Sequence, residues 1–154
     1  DDQQTLNYDV LLIASGHTRS NYDIRGANQH AYGFRTADDV VKIHNNIEAL
    51  LDNNKYPVNI NIVGGGFTGV EVLGELLRKY ATNKKLQFNV IDRAERLVQA
   101  LPEKLSDDIL HQCKDYQVSF HFNKKITEVK QSSIHFDDKK SMSLVNSNVV
   151  FVNP

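Results

Sequence analysis

Apolar and polar positions along this chain follow two periods, and the switches between them outline the fold. Tyr8-Asp9-Val10-Leu11-Leu12-Ile13-Ala14-Ser15-Gly16 is a near-continuous apolar run closed by glycine, the pattern of a strand buried on both faces of a parallel sheet. Residues 17–34 have no period and are polar and glycine-containing, so they read as a connector. At about 18 residues the connector is long for a compact domain, which points to a crossing between domains or a functional loop. Thr36 then stands as an N-cap, with Asp38 and Asp39 in the first turn where negative charge suits the helix dipole. Val40, Val41, Ile43, Ile47, Leu50 and Leu51 recur at helical spacing up to about Asp52.

Asn53-Asn54-Lys55-Tyr56-Pro57 breaks that helix, and an apolar strand over 58–63 follows. A second helix is predicted from Thr68 to Tyr80, with Val72, Leu73, Leu76, Leu77 and Tyr80 available for burial. Asn83-Lys84-Lys85 turns the chain into a strand over Gln87–Asp92. Leu101, Leu105, Ile109, Cys113 and Tyr116 mark a third helix, with Pro102 tolerated in its first turn. Val118, Phe120 and Phe122 alternate with Ser119 and His121, as in a half-buried strand. Three short pieces at 125–130, 133–136 and 141–145, separated by polar turns, read as an antiparallel meander. Val149-Val150-Phe151-Val152 is apolar enough to return to the middle of the sheet. The pattern predicts a three-layer α/β domain of Rossmann type, with a parallel sheet and a β-meander covering one face.

The stretch Asn59–Glu71 adds chemistry to that outline. Gly64, Gly66 and Gly69 fit G-x-G-x-x-G, and they do so between a strand and a helix, the context the motif requires. The first glycine permits the tight turn, the second lets backbone approach a pyrophosphate, and the third lets helix and strand pack closely. The helix N-terminus then offers unpaired N–H groups and partial positive charge to phosphate. Asp92 ends the next strand about 20 residues beyond the motif, where a carboxylate accepts hydrogen bonds from ribose hydroxyls. Such a carboxylate would repel a 2′-phosphate, which favours NADH over NADPH. Arg93 and Arg96 work against that preference, because either guanidinium could grip a phosphate.

Glu71 and Glu75 lie four apart on the helix after the glycines, a mildly unfavourable spacing for like charges. Lys79 is a ready partner for Glu75. Glu71 has two readings: a carboxylate that suits the helix dipole, or a group near the reactive end of a bound cofactor. His44 lies beside an apolar stripe and reads as a packed or half-exposed histidine, with no second histidine at metal spacing. Ser15 is not in a G-x-S-x-G turn and has no identifiable base. The pairs Lys84-Lys85, Lys124-Lys125 and Lys139-Lys140 fall in predicted turns and read as solvated surface.

Composition narrows the classes. The 154 residues carry 18 basic and 19 acidic side chains, a net charge of −1, without the basic stripe of a nucleic-acid binder. No apolar run reaches the roughly 18 residues needed to span a bilayer as a helix. Cys113 is the single cysteine, so there is no internal disulfide, C-x-x-C pair or cysteine zinc cluster, which fits a reduced intracellular setting. The chain opens at Asp1, has Met142 as its one methionine and closes on Asn153-Pro154 directly after a strand, so it reads as a piece of a longer protein.

Val63-Gly64-Gly65-Gly66-Phe67-Thr68-Gly69-Val70-Glu71-Val72-Leu73-Gly74-Glu75-Leu76 closely resembles the NAD-binding motif of type II, non-proton-pumping NADH dehydrogenases. These belong to the flavin-dependent pyridine-nucleotide-disulfide oxidoreductase superfamily. Tyr8–Gly16 looks like the superfamily's "ATG" strand, with Ser15 where threonine is usual. Ile24-Arg25-Gly26-Ala27 resembles its I-P-G-x connector, with Arg25 replacing proline. The segments 90–97 and 101–106 fit its second strand and the start of the following helix.

The resemblance implies residues 1–35 as the end of an FAD-domain strand plus an interdomain connector, and 36–154 as the NAD(P)-binding domain. It implies that Gly64, Gly65, Gly66, Phe67, Thr68, Gly69 and Arg93 surround NADH, that Asp92 holds its ribose, and that Glu71 lies near the nicotinamide. Ser15 and Gly16 would belong to the flavin side. The parent would pass hydride from NADH to FAD and then to a quinone-type acceptor, with the FAD glycine motif outside this chain. It would work in the cytoplasm, at the cytoplasmic face of the inner membrane if it docks there through parts outside this chain. This piece alone would lack turnover. Two alternatives stay open: a reductase of the same superfamily acting on a disulfide, ferredoxin or nitrite, and a non-catalytic NAD(H)-sensing module.

Overall fold

The computed structural model describes residues 5–14, 24–53, 57–80 and 82–152. In chain order the elements are α1 (Ala27–His30), β1 (Tyr32–Gly33), α2 (Ala37–Asn53), β2 (Val58–Val63), α3 (Phe67–Tyr80), β3 (Leu86–Ile91), α4 (Glu103–Gln112), β4 (Val118–His121), β5 (Ile126–Val129), β6 (Ser133–Phe136), β7 (Ser141–Ser143) and β8 (Ser147–Phe151). Five strands form a parallel sheet in the order β1-β8-β2-β3-β4, and β5-β6-β7 form a separate antiparallel sheet.

Register explains the layers. Val58, Ile60 and Ile62 lie level with Leu86, Phe88 and Val90 on the neighbouring strand, and Ile62 lies level with Val150 on the other side. These side chains form one core with Ile43 and Ile47 of α2 and with Val72, Leu73 and Leu77 of α3. The residues between them in sequence point to the opposite face, as strand alternation requires. There Ile91, Val149 and Phe151 pack against Ile126, Val129, Ile134 and Phe136 of the meander and against Leu144. The result is three layers, helices on a parallel sheet on a meander, as the pattern predicts.

β8 returns to the interior of the sheet, paired with β1 on one edge and β2 on the other. The start of α2 is a reciprocal cap: Asp39 N–H donates to Thr36 Oγ1 (3.2 Å) and Thr36 N–H donates to Asp39 Oδ2 (3.0 Å). Those bonds, the Thr36 backbone N–H foremost, hold the Asp39 carboxyl below its usual range. Between α2 and α3 the Tyr80 hydroxyl donates to Glu48 (2.8 Å), and His44 Nδ1 lies 2.8 Å from the same oxygen. Burial, reinforced by Glu48, pushes the Tyr80 phenol up.

Several expectations change. Residues 8–14 form no strand and are exposed, because an apolar run forms a strand only where another strand offers it an edge, and none of the described strands pairs with it. Part of the supposed connector is structured: α1 packs its buried Ala27 under the meander, and Tyr32–Gly33 pairs with β8 as an edge strand. Two residues carry too little periodicity to show as a strand. Glu75 pairs with Arg78 Nη2 at 2.6 Å, one turn away, while Lys79 reaches His44 at 3.1 Å. The third helix spans only Glu103–Gln112 and buries Ser106, while Leu105 and Tyr116 stay exposed.

Candidate nucleotide-binding site

The carboxyl ends of β2, β3 and β8 are drawn level by bonds that continue the ladder beyond the strands. Gly64 N–H donates to Ile91 O (2.9 Å), and Val152 N–H to Val63 O (3.0 Å). A crevice at this end of a parallel sheet is where ligands of α/β folds bind. Here it is a cavity of about 450 Å³ lined by Gly64, Gly65, Gly66, Gly69, Asp92 and Arg93. Ile24, Val63, Ile126 and Phe151 supply apolar wall, and Arg96, Lys124 and Lys125 supply positive charge.

Each glycine of the turn meets a different constraint. Gly64 has φ +114°, a backbone conformation that side-chain-bearing residues rarely adopt. A Cβ on Gly69 would stand 1.9 Å from the Gly64 carbonyl oxygen, so α3 can approach β2 only without one. A Cβ on Gly65 would meet Asp92 Oδ2 at 2.9 Å and Leu97 Cδ2 at 3.0 Å. At Gly66 it would meet nothing within 4 Å. The Gly66 face of the turn is therefore open toward the cavity, at the N-terminus of α3. Backbone conformation demands glycine at position 64 and packing demands it at 69, Gly65 is crowded by the Asp92 and Leu97 side chains, and Gly66 leaves space for something else.

Asp92 is placed by the end of β3, its N–H bonded to His121 O (3.0 Å). Its carboxylate accepts from Gly65 N–H through Oδ2 and from Ala94 N–H (2.7 Å) through Oδ1. The carboxylate thus fixes the glycine turn as well as facing the cavity, a second task that sequence spacing does not reveal. Arg96, a candidate phosphate grip by sequence, turns back on its own loop. It donates to the carbonyls of Gln99 (2.9 Å), Leu101 (2.8 Å) and Leu97 (3.4 Å). Within that loop Val98 holds φ +41°, which costs a non-glycine residue about 1–3 kcal/mol.

The remaining sequence candidates divide. Phe67 (59% exposed), Thr68 and Glu71 lie at the start of α3 outside the cavity lining, with Glu71 exposed. Ser15 and Gly16 lie outside the described residues. Lys124 and Lys125, read from sequence as solvated, line the cavity. The Lys124 ammonium holds Asp138 (2.7 Å), and this contact keeps the Asp138 carboxyl low. The available signal was their position just after a strand of the parallel sheet, at the end where ligands bind. No group of three His, Cys, Asp or Glu side chains among the described residues could hold a metal ion. Cys113 is buried, and burial pushes its thiol up, away from the reactive thiolate.

On the meander side of the sheet a polar relay links four strands, β4, β3, β2 and β8. His121 Nε2 meets Asn89 Oδ1 (3.1 Å), Asn89 Nδ2 donates to Asn61 Oδ1 (3.0 Å), and Asn61 Nδ2 donates to Asn148 O (3.3 Å). Burial first, and Lys124 second, lower the His121 pKa and favour the neutral ring.

Residues 1–152 match the family model described as pyridine nucleotide-disulphide oxidoreductase. The chain belongs to that family. A type II NADH:quinone oxidoreductase of Haemophilus influenzae is 28% identical over 84% of this chain and 36% of its own length. The demethylphylloquinone reductase NdbB of Synechocystis is 28% identical over 65% of the chain and 24% of its own length. Among solved structures, NDH2 of Plasmodium falciparum in complex with NADH superposes with a TM-score of 0.81 over 97% of this chain and 35% of that one, at 22% identity. Reduced CoADR-RHD of Bacillus anthracis superposes with a TM-score of 0.70 over 95% and 25%, at 17% identity. The chain spans about a third of the H. influenzae and P. falciparum proteins. These two structural likenesses show the fold alone.

Proposed function

We propose that this chain is the NADH-binding part of a flavin-dependent NADH dehydrogenase. The parent protein would pass hydride from NADH to FAD and electrons on to a quinone-type acceptor. The observation that carries the reading is the open face of Gly66 at the N-terminus of α3, in a turn whose other glycines are constrained by backbone conformation or by close neighbours. A pyrophosphate needs that arrangement: space for close backbone approach, helix N–H groups and local positive charge. The cavity volume falls in the range of roughly 300–1,000 Å³ usual for small-molecule sites, and its lining mixes apolar wall with cations.

The residues in this chain bind and orient; a bound flavin would supply the redox chemistry. The sequence holds a single G-x-G-x-x-G turn, which this reading gives to NADH rather than to flavin. Asp92 keeps lone pairs beyond its two backbone bonds for ribose hydroxyls, and its charge disfavours a 2′-phosphate. Arg93 stands on the same wall. Glu71, exposed on α3, is available to the nicotinamide end or to a neighbouring domain, and Phe67 and Thr68 share that end of the helix. Ser15 and Gly16 are assigned to the flavin side. Names of relatives favour a quinone acceptor, and a site at the cytoplasmic face of the inner membrane is in keeping with it. No helix among the described residues is long and apolar enough to cross a membrane.

Calorimetric titration of the chain with NADH and NADPH tests the reading. NADH binds, and binds about tenfold more tightly than NADPH, a difference of about 1.4 kcal/mol. Failure to bind either nucleotide sinks the proposal. Without added flavoprotein the chain shows no NADH oxidation; turnover by the chain alone would contradict the division of labour.

A further inference from the structure

The loop from Asp92 to Leu101 forms the cavity wall beside the glycine turn, contributing Asp92, Arg93, Ala94, Arg96, Gln99 and Ala100. Its contact with the turn centres on one residue, Gly65. Gly65 N–H is held by the Asp92 carboxylate, and Gly65 C=O accepts from Val98 N–H at 2.8 Å. Both polar groups of the residue preceding the open glycine are therefore fixed by the loop.

Val98 makes its bond from a left-handed conformation, φ +41°, that a β-branched residue adopts only when its surroundings impose it. The Leu97 side chain on one side is fully buried, and Leu101 N–H closes the turn on Val98 O at 2.8 Å. Three further carbonyls of the loop, from Leu97, Gln99 and Leu101, converge on the Arg96 guanidinium. Such a planar fork of N–H donors holds several carbonyls in fixed relative positions, which a lysine ammonium on a flexible stem does less well.

We propose that Arg96 is a positioning residue for the dinucleotide. Its grip on three carbonyls keeps Val98 left-handed, Val98 keeps Gly65 in place, and Gly65 sets the Gly66 face that the pyrophosphate approaches. Arg96 acts through the loop and does not touch phosphate. The inference rests on the dinucleotide reading of the same cavity, and it assigns affinity to a residue whose guanidinium donors are engaged by its own loop.

Arg96→Ala, Arg96→Lys, Val98→Gly and the double variant Arg96→Ala/Val98→Gly separate this role from a direct charge contact. Two readouts are needed: NADH affinity, and hydrogen exchange at the Val98 amide. Arg96→Ala weakens NADH binding about tenfold and speeds Val98 exchange by at least as much. Arg96→Lys keeps the charge and recovers less than half of that loss. In the double variant, glycine adopts the left-handed turn without strain, so at least a threefold share of affinity returns. Full NADH affinity in Arg96→Lys beside a loss in Arg96→Ala overturns the proposal, because charge would then suffice. Additive effects of the two substitutions, or unchanged Val98 exchange in Arg96→Ala, also overturn it. If Arg96→Ala does not fold, Arg96→Lys with and without Val98→Gly decides by the same rescue. If the unaltered chain binds no NADH, the dinucleotide reading fails, and Val98 exchange alone decides the clamp.

Discussion

Val10-Leu11-Leu12-Ile13 and Val149-Val150-Phe151-Val152 are four-residue apolar strings of the same kind, and they meet opposite fates. Val10 and Leu12 are 87% and 85% exposed, whereas Val150 is fully buried. The second string has β1 and β2 on its two edges, helices against one face and the meander against the other. The first has no such neighbours among the described strands. Hydrophobicity states a demand for burial; only paired edges and covered faces meet it. The same distinction runs through the glycine turn, where glycines alike in the motif differ in what surrounds them.

The largest test of this contrast places a charge in each string. Val150→Asp puts an unpaired carboxylate in the sheet interior, at a cost of several kcal/mol, against a total stability of roughly 5–15 kcal/mol. The variant shows no cooperative thermal transition by circular dichroism. Leu12→Asp shifts stability by no more than about 0.5 kcal/mol, as surface changes do. A large loss from Leu12→Asp would mean that the first string is buried after all.

The glycines give the next largest effect. Gly69→Ala drives a methyl onto the Gly64 carbonyl and costs about 1–3 kcal/mol, read from a chemical denaturation curve. Gly66→Ala leaves stability within about 0.5 kcal/mol, because its methyl enters open space, yet it weakens NADH binding. Equal destabilisation by the two would erase the difference drawn between packing glycine and ligand glycine.

Smaller effects probe the polar groups that join covered layers. Tyr80→Phe removes the bond to Glu48 between α2 and α3 and costs about 0.5–1.5 kcal/mol by denaturation. His121 tests the meander side through pH. Its folded pKa lies below the ordinary 6.5, so its contribution is complete above pH 6.5. The contribution is lost as pH falls toward the folded value, because the unfolded chain takes up the proton first. Stability measured from pH 7 to pH 5 therefore falls less steeply in His121→Gln than in the unaltered chain. An identical slope would place the ring in solvent.

Most of the fold was legible in the chain's periodicities. The strands at 58–63 and 86–91, the helix before the first and the helix between them, the meander and the central last strand all follow from period and punctuation. So does Thr36 as the N-cap, because its signal is local, whereas the bond back from Asp39 came only from the structure. The two-residue β1 was not legible, being too short to show a period. Neither was the pairing of Glu75, since Arg78 and Lys79 both lie within reach on a helix surface and only rotamers choose between them.

The candidate site was half legible. Gly64, Gly66, Gly69 and Asp92 could be named from spacing, because a strand–turn–helix brings nearby residues together by local geometry. Lys124 and Lys125 were missed: their place just after a strand was legible, but they reach the cavity only when that strand, β4, pairs with β3.

By itself the sequence determined the alternation of strands and helices, the glycine turn and the acid beyond it, all consequences of local periods and of what a backbone can do without a side chain. Tertiary structure decided which apolar string is buried and which glycine has room beside it. It also turned Arg96 onto its own carbonyls and Asp92 onto the Gly65 N–H. Those outcomes depend on which edges, faces and unpaired donors come together in space, and residues far apart in the chain supply them.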